Sequence, residues 1–249
     1  MMRHTTVHRL LILLVIGLLA GSAVAKQALE SAAGAWGRQL AQVVSDGRVS
    51  YRTLAREPGP LDAWLDQVAL LDPDSLAAWP RPRQLALLLN LYNGTTLRLV
   101  RDNLPVGSIK EIGGWFRSPW SLPVVRLAGE TFSLDELEHR RIRPVYNDPR
   151  IHVALVCAAR GCPPLREELY TASGLEEQLD DQARRFLQRS PTKNRLEGGT
   201  LWLSPIFKWY AEDFGADEAA LKAWLEPWLP GACQARIRWT DYDWSLNAR

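Results

Sequence analysis

This 249-residue sequence has few cysteines and a small net charge. Three cysteines are too few for the disulfide framework that stabilises many small secreted domains. The 30 basic and 28 acidic residues leave a formal net charge of +2, which is too balanced for a dedicated nucleic-acid-binding protein. The chain is 47% apolar and 23% charged, which is typical of a globular protein long enough to bury a core.

Several catalytic motifs are also missing. The sequence contains no G-x-x-x-x-G-K-[ST], G-x-G-x-x-G, G-x-S-x-G or H-E-x-x-H string. Their absence argues against nucleotide-dependent chemistry, the usual serine hydrolases and zincin metalloproteases. No cofactor is predicted. The residue present in unusual number is tryptophan, which occurs 11 times.

The first 25 residues have the pattern of a secretory signal peptide. A basic start precedes an apolar run, Leu10–Ala20, and small residues then lead to Ala25. This pattern predicts cleavage after Ala25 and a periplasmic or secreted protein with no stable membrane span after cleavage. His4 and His8 would leave with the signal peptide, so the remaining chain would have two of the four histidines.

Residues 26–249 are predicted to form a single, mostly helical α+β domain with short β-hairpins and a small sheet. Apolar periodicity predicts helices over 26–46, 61–71, 83–103 and 174–189. Turn residues at Ala128-Gly129 and Gly198-Gly199 predict two hairpins. Because helices and strands do not alternate along the chain, α+β is favoured over an α/β fold.

Several strings, taken in chain order, resemble one protein family. They are LNLYN at 89–93, SLDELEH at 133–139, RIHVALVC at 150–157, GCPPL at 161–165, LSPIFKWY at 203–210 and YDWSLN at 242–247. The chain is similar to domain-of-unknown-function family 547 over about residues 51–247. The resemblance implies no particular reaction. The family includes secreted bacterial members, which agrees with a signal peptide.

Two cysteines in these strings are candidates for a catalytic nucleophile. Cys162 immediately precedes a predicted helix start, where backbone N–H groups favour a thiolate. Cys157 ends the apolar run 152–157, which predicts a buried strand. A nucleophilic cysteine also needs a base within hydrogen-bond reach.

Two histidines are available as that base. A strand over 152–157 would hold His152 and Cys157 about 16 Å apart on opposite faces, which leaves His139 free to reach a cysteine. An amide of Asn90 or Asn93 could orient the imidazole, as in papain-like sites. The predicted catalytic residues are Cys157, Cys162, His139 and Asn93.

The same cysteines have other possible uses, of which a structural disulfide is the main one. A Cys157–Cys162 disulfide can close the Ala-Ala-Arg-Gly loop between them, and an oxidising compartment favours that bond. An exposed bridge could serve as a redox site. Two histidines and two cysteines would suffice in number for zinc, but the cysteine spacing is wider than in most structural sites, and no metal is predicted.

Aromatic and charged residues near these strings predict a binding groove. Trp209 lies among aromatic and acidic residues of one short predicted helix, and Asp243 and Trp244 lie in the tail. Such a groove suits a glycan or a peptide, but the aromatic residues themselves are more typical of large core side chains. The predicted binding residues are Glu138, Arg150, His152, Trp209, Asp243 and Trp244.

Two functional hypotheses follow. The first is a periplasmic or secreted cysteine-dependent hydrolase or acyl transferase that acts on an amide, ester or thioester. The second is a non-catalytic binding or scaffold protein of the cell envelope with a structural Cys157–Cys162 disulfide. In both, the partner is a small-molecule, peptide or glycan ligand of the envelope, and no nucleic acid is expected.

Overall fold

The computed structural model describes residues 4–114, 116–215 and 217–249, with side chains from Val24 onwards. Residues 1–3 of the predicted signal peptide lie outside the described residues, as do the side chains up to residue 23. The signal peptide therefore stays a prediction. In the described part of the chain, no helix combines the length and hydropathy needed to cross a membrane.

Helices dominate the structure, which confirms the α+β class. The α-helices are α1 (His4–Val43), α2 (Tyr51–Arg56), α3 (Gly59–Ala69), α4 (Pro73–Ala77), α5 (Arg81–Asp102), α6 (Leu134–Glu136), α7 (Arg143–Tyr146), α8 (Ile151–Ala154), α9 (Leu175–Gln188), α10 (Ile206–Trp209), α11 (Ala211–Phe214) and α12 (Glu218–Leu225). Short 3-10 turns occur at Ile109–Glu111, Pro119–Ser121 and Ala232–Gln234, and a π-helical segment, Leu137–Ile142, joins α6 to α7. The four helices predicted from periodicity correspond to α1, α3, α5 and α9.

The strands form three small sheets. They are β1 (Val44–Ser45), β2 (Arg48–Val49), β3 (Val125–Leu127), β4 (Glu130–Phe132), β5 (Arg195–Glu197), β6 (Thr200–Leu203) and β7 (Arg236–Trp239). The pairs β1–β2, β3–β4 and β5–β6 are antiparallel, and β7 adds in parallel to β6 with Ile237 opposite Leu201. Both predicted hairpins are confirmed, and each turns through two residues of positive φ, the geometry that matches strand twist.

Two hydrophobic clusters hold these elements together. The larger one contains Trp36, Trp64 and Leu89, and it extends to Leu246 in the tail. The second packs Phe186 of α9 against Phe207 and the last helices. Partly buried Tyr242 contacts both clusters, so the tail lies where they meet.

Two buried asparagines on α5 hold distant backbone segments. The Asn90 amide donates to the Tyr170 carbonyl (2.8 Å) and accepts from its N–H (2.9 Å). The Asn93 amide donates to the Ala154 carbonyl and accepts from the Val156 N–H, both at 2.9 Å. Buried amides need such partners. Asn93 thereby fixes the segment that leads into Cys157.

The predicted strand over 152–157 is wrong. Residues Ile151–Ala154 form the helical turn α8, and the chain becomes extended only from Leu155, whose ψ is 125°. The Asp148 carboxylate accepts the Arg150 N–H (2.9 Å) just before the helical turn, in an Asx turn. A short apolar run does not distinguish a buried strand from a buried helical turn, so periodicity could not detect the difference.

Candidate functional site

A cavity of about 210 Å³ lies between the π-helical segment, α8, α10 and the tail. We call it the aromatic cleft. Its lining includes six tyrosine or tryptophan side chains, two carboxyl groups, one imidazole and two cysteines: Tyr92, Trp120, Trp209, Tyr210, Tyr242, Trp244, Asp135, Glu138, His152, Cys157 and Cys162. A concave site with convergent polar groups is a candidate ligand site.

The aromatic wall of the cleft is a continuous set of contacting rings. The Trp209 ring centroid lies 4.8 Å from that of Tyr242 and 5.8 Å from that of Trp244, with the two indoles inclined by 22°. Trp120 meets Trp244 edge-on at 6.0 Å. Trp209 remains 49% exposed although it could pack in a core. An exposed wall of this kind offers an apolar surface with polar ring edges to a ligand.

Two carboxyl groups face the cleft from one side of a helix. Asp135 and Glu138 are three residues apart, the spacing that places side chains on one helix face. Burial raises the pKa of Glu138, although its hydrogen bond to the Tyr210 hydroxyl opposes that rise, and burial also raises the pKa of Asp135. Both carboxyls therefore hold a proton more readily than exposed ones.

His152 lies beneath these carboxyls and stacks on the Tyr210 ring at 3.9 Å. Its Nε2 lies 2.5 Å from Oδ2 of Asp213, and its Nδ1 lies 3.9 Å from Oε1 of Glu138. Burial lowers the pKa of His152 to about 4, against the attraction of Asp213. At neutral pH the imidazole is neutral, so it donates from Nε2 to Asp213 and leaves Nδ1 as an acceptor.

Arg143 holds Asp213 in its ionised form. Its Nε donates to Oδ2 (2.7 Å) and its Nη2 to Oδ1 (3.0 Å), a bidentate pair. These bonds and that of His152 outweigh burial and lower the pKa of Asp213. The carboxylate fixes which imidazole nitrogen carries the proton.

The Cys157–Cys162 disulfide forms the opposite wall, which confirms one of the alternatives for the cysteines. The two Cα atoms lie 6.2 Å apart. The Cys157 N–H donates to Cys162 Sγ (3.0 Å), and the Tyr242 hydroxyl lies 3.1 Å from Cys157 Sγ and 3.2 Å from Cys162 Sγ. In this state neither sulfur is a free nucleophile.

The tail holds the disulfide loop by backbone hydrogen bonds. They join Asn247 N–H to the Ala158 carbonyl (2.9 Å), Arg160 N–H to the Ser245 carbonyl (2.8 Å) and Gly161 N–H to the Asp243 carbonyl (2.8 Å). A Cβ atom on Gly161 would lie 2.9 Å from the Tyr242 ring. The close approach of loop and tail therefore needs a glycine.

Residues 76–187 match the family model described as protein of unknown function, DUF547. This part of the chain is similar to the DUF547 family. Comparisons with curated proteins and with solved structures give no match. The DUF547 segment contributes Glu138, His152 and the disulfide to the cleft, whereas Trp209 and Asp213 come from the chain that follows it.

Two of the predicted catalytic residues, His139 and Asn93, form hydrogen bonds with groups other than a cysteine sulfur. His139 is exposed, and its Nδ1 lies 2.8 Å from Nη1 of Arg143. Both polar ends of the Asn93 amide bind backbone on either side of Leu155. Among the hydrogen bonds of the described residues, none joins an imidazole to a sulfur.

Two predicted binding residues lie apart from the aromatic cleft. Arg150 forms ion pairs with Asp148, Glu176 and Asp180, which join α8 to α9. Asp243 borders a second cavity, of about 760 Å³, which shares Cys162 with the aromatic cleft. Glu138, His152, Trp209 and Trp244 do line the cleft.

Several residues of the site were not predicted from the sequence. They are Trp120, Asp135, Arg143, Tyr210, Asp213 and Tyr242. Helical spacing carried a usable signal for Asp135, which lies three residues before Glu138. No local pattern links Tyr242 to the disulfide, because their contact spans 85 residues of sequence. Within the described residues, no group of three or more His, Cys, Asp or Glu side chains could hold a metal ion.

Proposed function

We propose that this is an exported peptide-binding protein of the cell envelope whose aromatic cleft holds an uncharged, amide-bearing segment of the ligand. The observation that carries the proposal is the composition of the cleft: a partly exposed aromatic wall faces a buried floor of polar groups. The signal-peptide pattern at 1–25 supports export.

The polar floor favours an uncharged ligand. His152, with its pKa lowered to about 4, is neutral at pH 7 and has a free acceptor at Nδ1. The raised pKa of Glu138 favours its protonated form, in which a carboxyl both donates and accepts hydrogen bonds. A peptide amide has the matching pair, an N–H donor and a carbonyl acceptor. A bound anion would instead have to lose its hydration without a compensating positive charge among the lining residues.

The size of the cleft limits what it can enclose. Its volume of about 210 Å³ lies below the range of roughly 300–1,000 Å³ that is typical for drug-sized ligands. One or two residues of a peptide fit this volume, with an apolar side chain against Trp209 and Trp244 and the backbone amide over the floor. The rest of the peptide would lie outside the cleft.

A binding assay with a matched control tests the proposal. An array of N-acetylated, C-amidated tripeptides is titrated into the full chain and followed by calorimetry, with cellobiose as the glycan probe. We expect some uncharged tripeptides to bind, and Trp209→Ala to weaken binding by about tenfold or more, as truncation of an aromatic anchor does. Trp239→Ala, which removes another exposed tryptophan (39%) outside the cleft, should leave binding unchanged.

Other results of the same assay would contradict peptide binding in the cleft. Binding of cellobiose with no tripeptide bound would make the cleft a glycan site. Binding of neither probe, or equal losses in Trp209→Ala and Trp239→Ala, would refute peptide binding in the cleft.

A cysteine-dependent hydrolase or acyl transferase is the second candidate function. It is favoured by the partly exposed position of Cys157 in a cleft that Glu138 and His152 also line. It requires the reduced protein, because only a thiolate is a nucleophile. Hydrolysis of p-nitrophenyl acetate that appears on reduction and is lost in Cys157→Ser would support it. Equal rates in both redox states would exclude it.

A further inference from the structure

The two cysteines of the disulfide differ in exposure as residues, although both border the aromatic cleft. Cys157 is partly exposed on the wall of the aromatic cleft, whereas Cys162 is 2% exposed. A thiolate attacks a disulfide at the sulfur it can reach, and the other sulfur leaves. The cleft therefore directs an incoming thiol to Cys157 and makes Cys162 the leaving group.

Hydrogen-bond donors surround the leaving sulfur. The Cys157 N–H points at Cys162 Sγ (3.0 Å), and the Tyr242 hydroxyl lies 3.2 Å from the same atom. Burial raises the pKa of Tyr242, so its hydroxyl keeps the proton that it donates. Both donors would stabilise negative charge on Cys162 Sγ more than they stabilise a neutral disulfide sulfur.

The loop does not depend on the bridge for its closure. Three backbone hydrogen bonds already join residues 158–161 to residues 243–247 of the tail. The bridge itself spans five residues, and a short loop gives a disulfide little entropy to remove from the unfolded chain. A bond that can break without releasing the loop is suited to reversible chemistry.

We propose that the Cys157–Cys162 disulfide carries out thiol–disulfide exchange with the cysteine of a peptide or small thiol that enters the aromatic cleft. The incoming thiolate forms a bond to Cys157 Sγ while the Cys157–Cys162 bond breaks, and the electron pair of that bond leaves on Cys162 Sγ. The product is a mixed disulfide at Cys157 and a thiolate at Cys162.

The cycle closes with thiols and disulfides alone. A second substrate thiolate attacks the substrate sulfur of the mixed disulfide and releases Cys157 as a thiolate. Two substrate thiols are thereby oxidised to one disulfide, and the protein is reduced to the dithiol. A small-molecule disulfide such as oxidised glutathione restores the bridge by the reverse steps. This activity goes beyond peptide binding, and a small thiol reports it even where no peptide binds.

The experiment uses the full chain with Cys233→Ser as background, because Cys233 is an exposed free thiol that would add its own adduct. Oxidised glutathione is mixed with the Cys162→Ser and Cys157→Ser variants of this background, and the adducts are followed by mass spectrometry. We expect the Cys157 adduct to form at least about tenfold faster than the Cys162 adduct, because access controls the attack.

A second measurement leaves both cysteines in place, so it does not depend on the folding of a cysteine variant. The Cys233→Ser protein is equilibrated in glutathione redox buffers, and the oxidised fraction of the pair is quantified after acid quenching. Tyr242→Phe removes one donor to Cys162 Sγ, and we expect it to shift the equilibrium about tenfold towards the disulfide. Circular dichroism checks that the variant is folded.

Three results would overturn the proposal. The first is a pair that millimolar reduced glutathione leaves fully oxidised in the folded protein. The second is faster adduct formation at Cys162 than at Cys157. The third is an equilibrium that Tyr242→Phe leaves unchanged.

Discussion

Protonation of His152 should destabilise the folded protein more than protonation of an exposed histidine would. Its pKa is lowered to about 4 from the ordinary 6.5 because the ring is buried between Tyr210 and Phe214. The unfolded chain therefore binds a proton below pH 6.5, whereas the folded protein binds it only below about pH 4. The stabilisation from a neutral His152 is complete above pH 6.5 and is lost as the pH falls towards 4.

The size of the effect follows from the two pKa values. A difference of about 2.5 between the folded and unfolded pKa corresponds to about 3 kcal/mol of unfolding free energy. In His152→Gln the side chain stays neutral at every pH, so this component is absent. Between pH 7 and pH 4 the natural protein should lose about 3 kcal/mol more stability than the variant.

Urea unfolding of both proteins across this pH range measures the difference directly. A second readout is the NMR titration of the imidazole C–H signals, in which His152→Gln identifies the His152 resonance among the four histidines. Asp213→Asn removes the partner that raises the pKa of His152, so the titration midpoint should fall further. A midpoint at or above 6.5, or parallel stability profiles, would refute this account of the site.

Two further substitutions test how the site is held. Asn93→Ala leaves the Ala154 carbonyl and the Val156 N–H without their buried partner, and we expect a loss of about 2–4 kcal/mol in unfolding free energy, measured in urea. Gly161→Ala places a methyl group 2.9 Å from the Tyr242 ring, and we expect a loss of about 1–3 kcal/mol together with altered near-ultraviolet circular dichroism from the displaced ring.

Each substitution has a control in the same chain. Asn103→Ala removes an exposed amide at the end of α5, and it should cost less than about 1 kcal/mol. Gly59→Ala adds the same methyl group where no atom lies within 4 Å, so it should be neutral or slightly stabilising. If either control costs as much as its test variant, the cost does not arise from the contacts described at the site.

Local sequence patterns predict the elements whose formation depends mainly on residues close together in the sequence. The apolar periodicity of α5 and α9 and the glycine-containing turns of the hairpins identify those elements without tertiary information. The strand predicted over 152–157 is wrong because every residue after His152 in the run is apolar, which removes the periodicity that separates a strand from a helical turn. The Asx turn of Asp148 precedes the helical turn and does not determine its length.

The site was less predictable because its decisive contacts are long-range. The sequence favours His139 over His152 as the base because it predicts a strand over 152–157. The helical turn at α8 and the π-helical segment instead leave His152 buried and His139 exposed. Asp213 reaches His152 across 61 residues of sequence. Single-sequence reasoning can therefore supply the candidate side chains, but not their pairing.

The residues of the site come from two parts of the chain. The DUF547 segment ends at residue 187, and it supplies the disulfide, Glu138 and His152. Trp209, Trp244 and Tyr242, whose hydroxyl lies beside both sulfurs, come from the chain after it, whereas Trp120 of the aromatic wall lies within it. Ligand contact and the environment of the disulfide thus depend on the same tail, which also pairs with residues 158–161. A ligand that displaces Tyr242 would remove a donor from Cys162 Sγ. Occupation of the cleft and reduction of the bridge should therefore be thermodynamically coupled, and each should change the equilibrium of the other by the same factor.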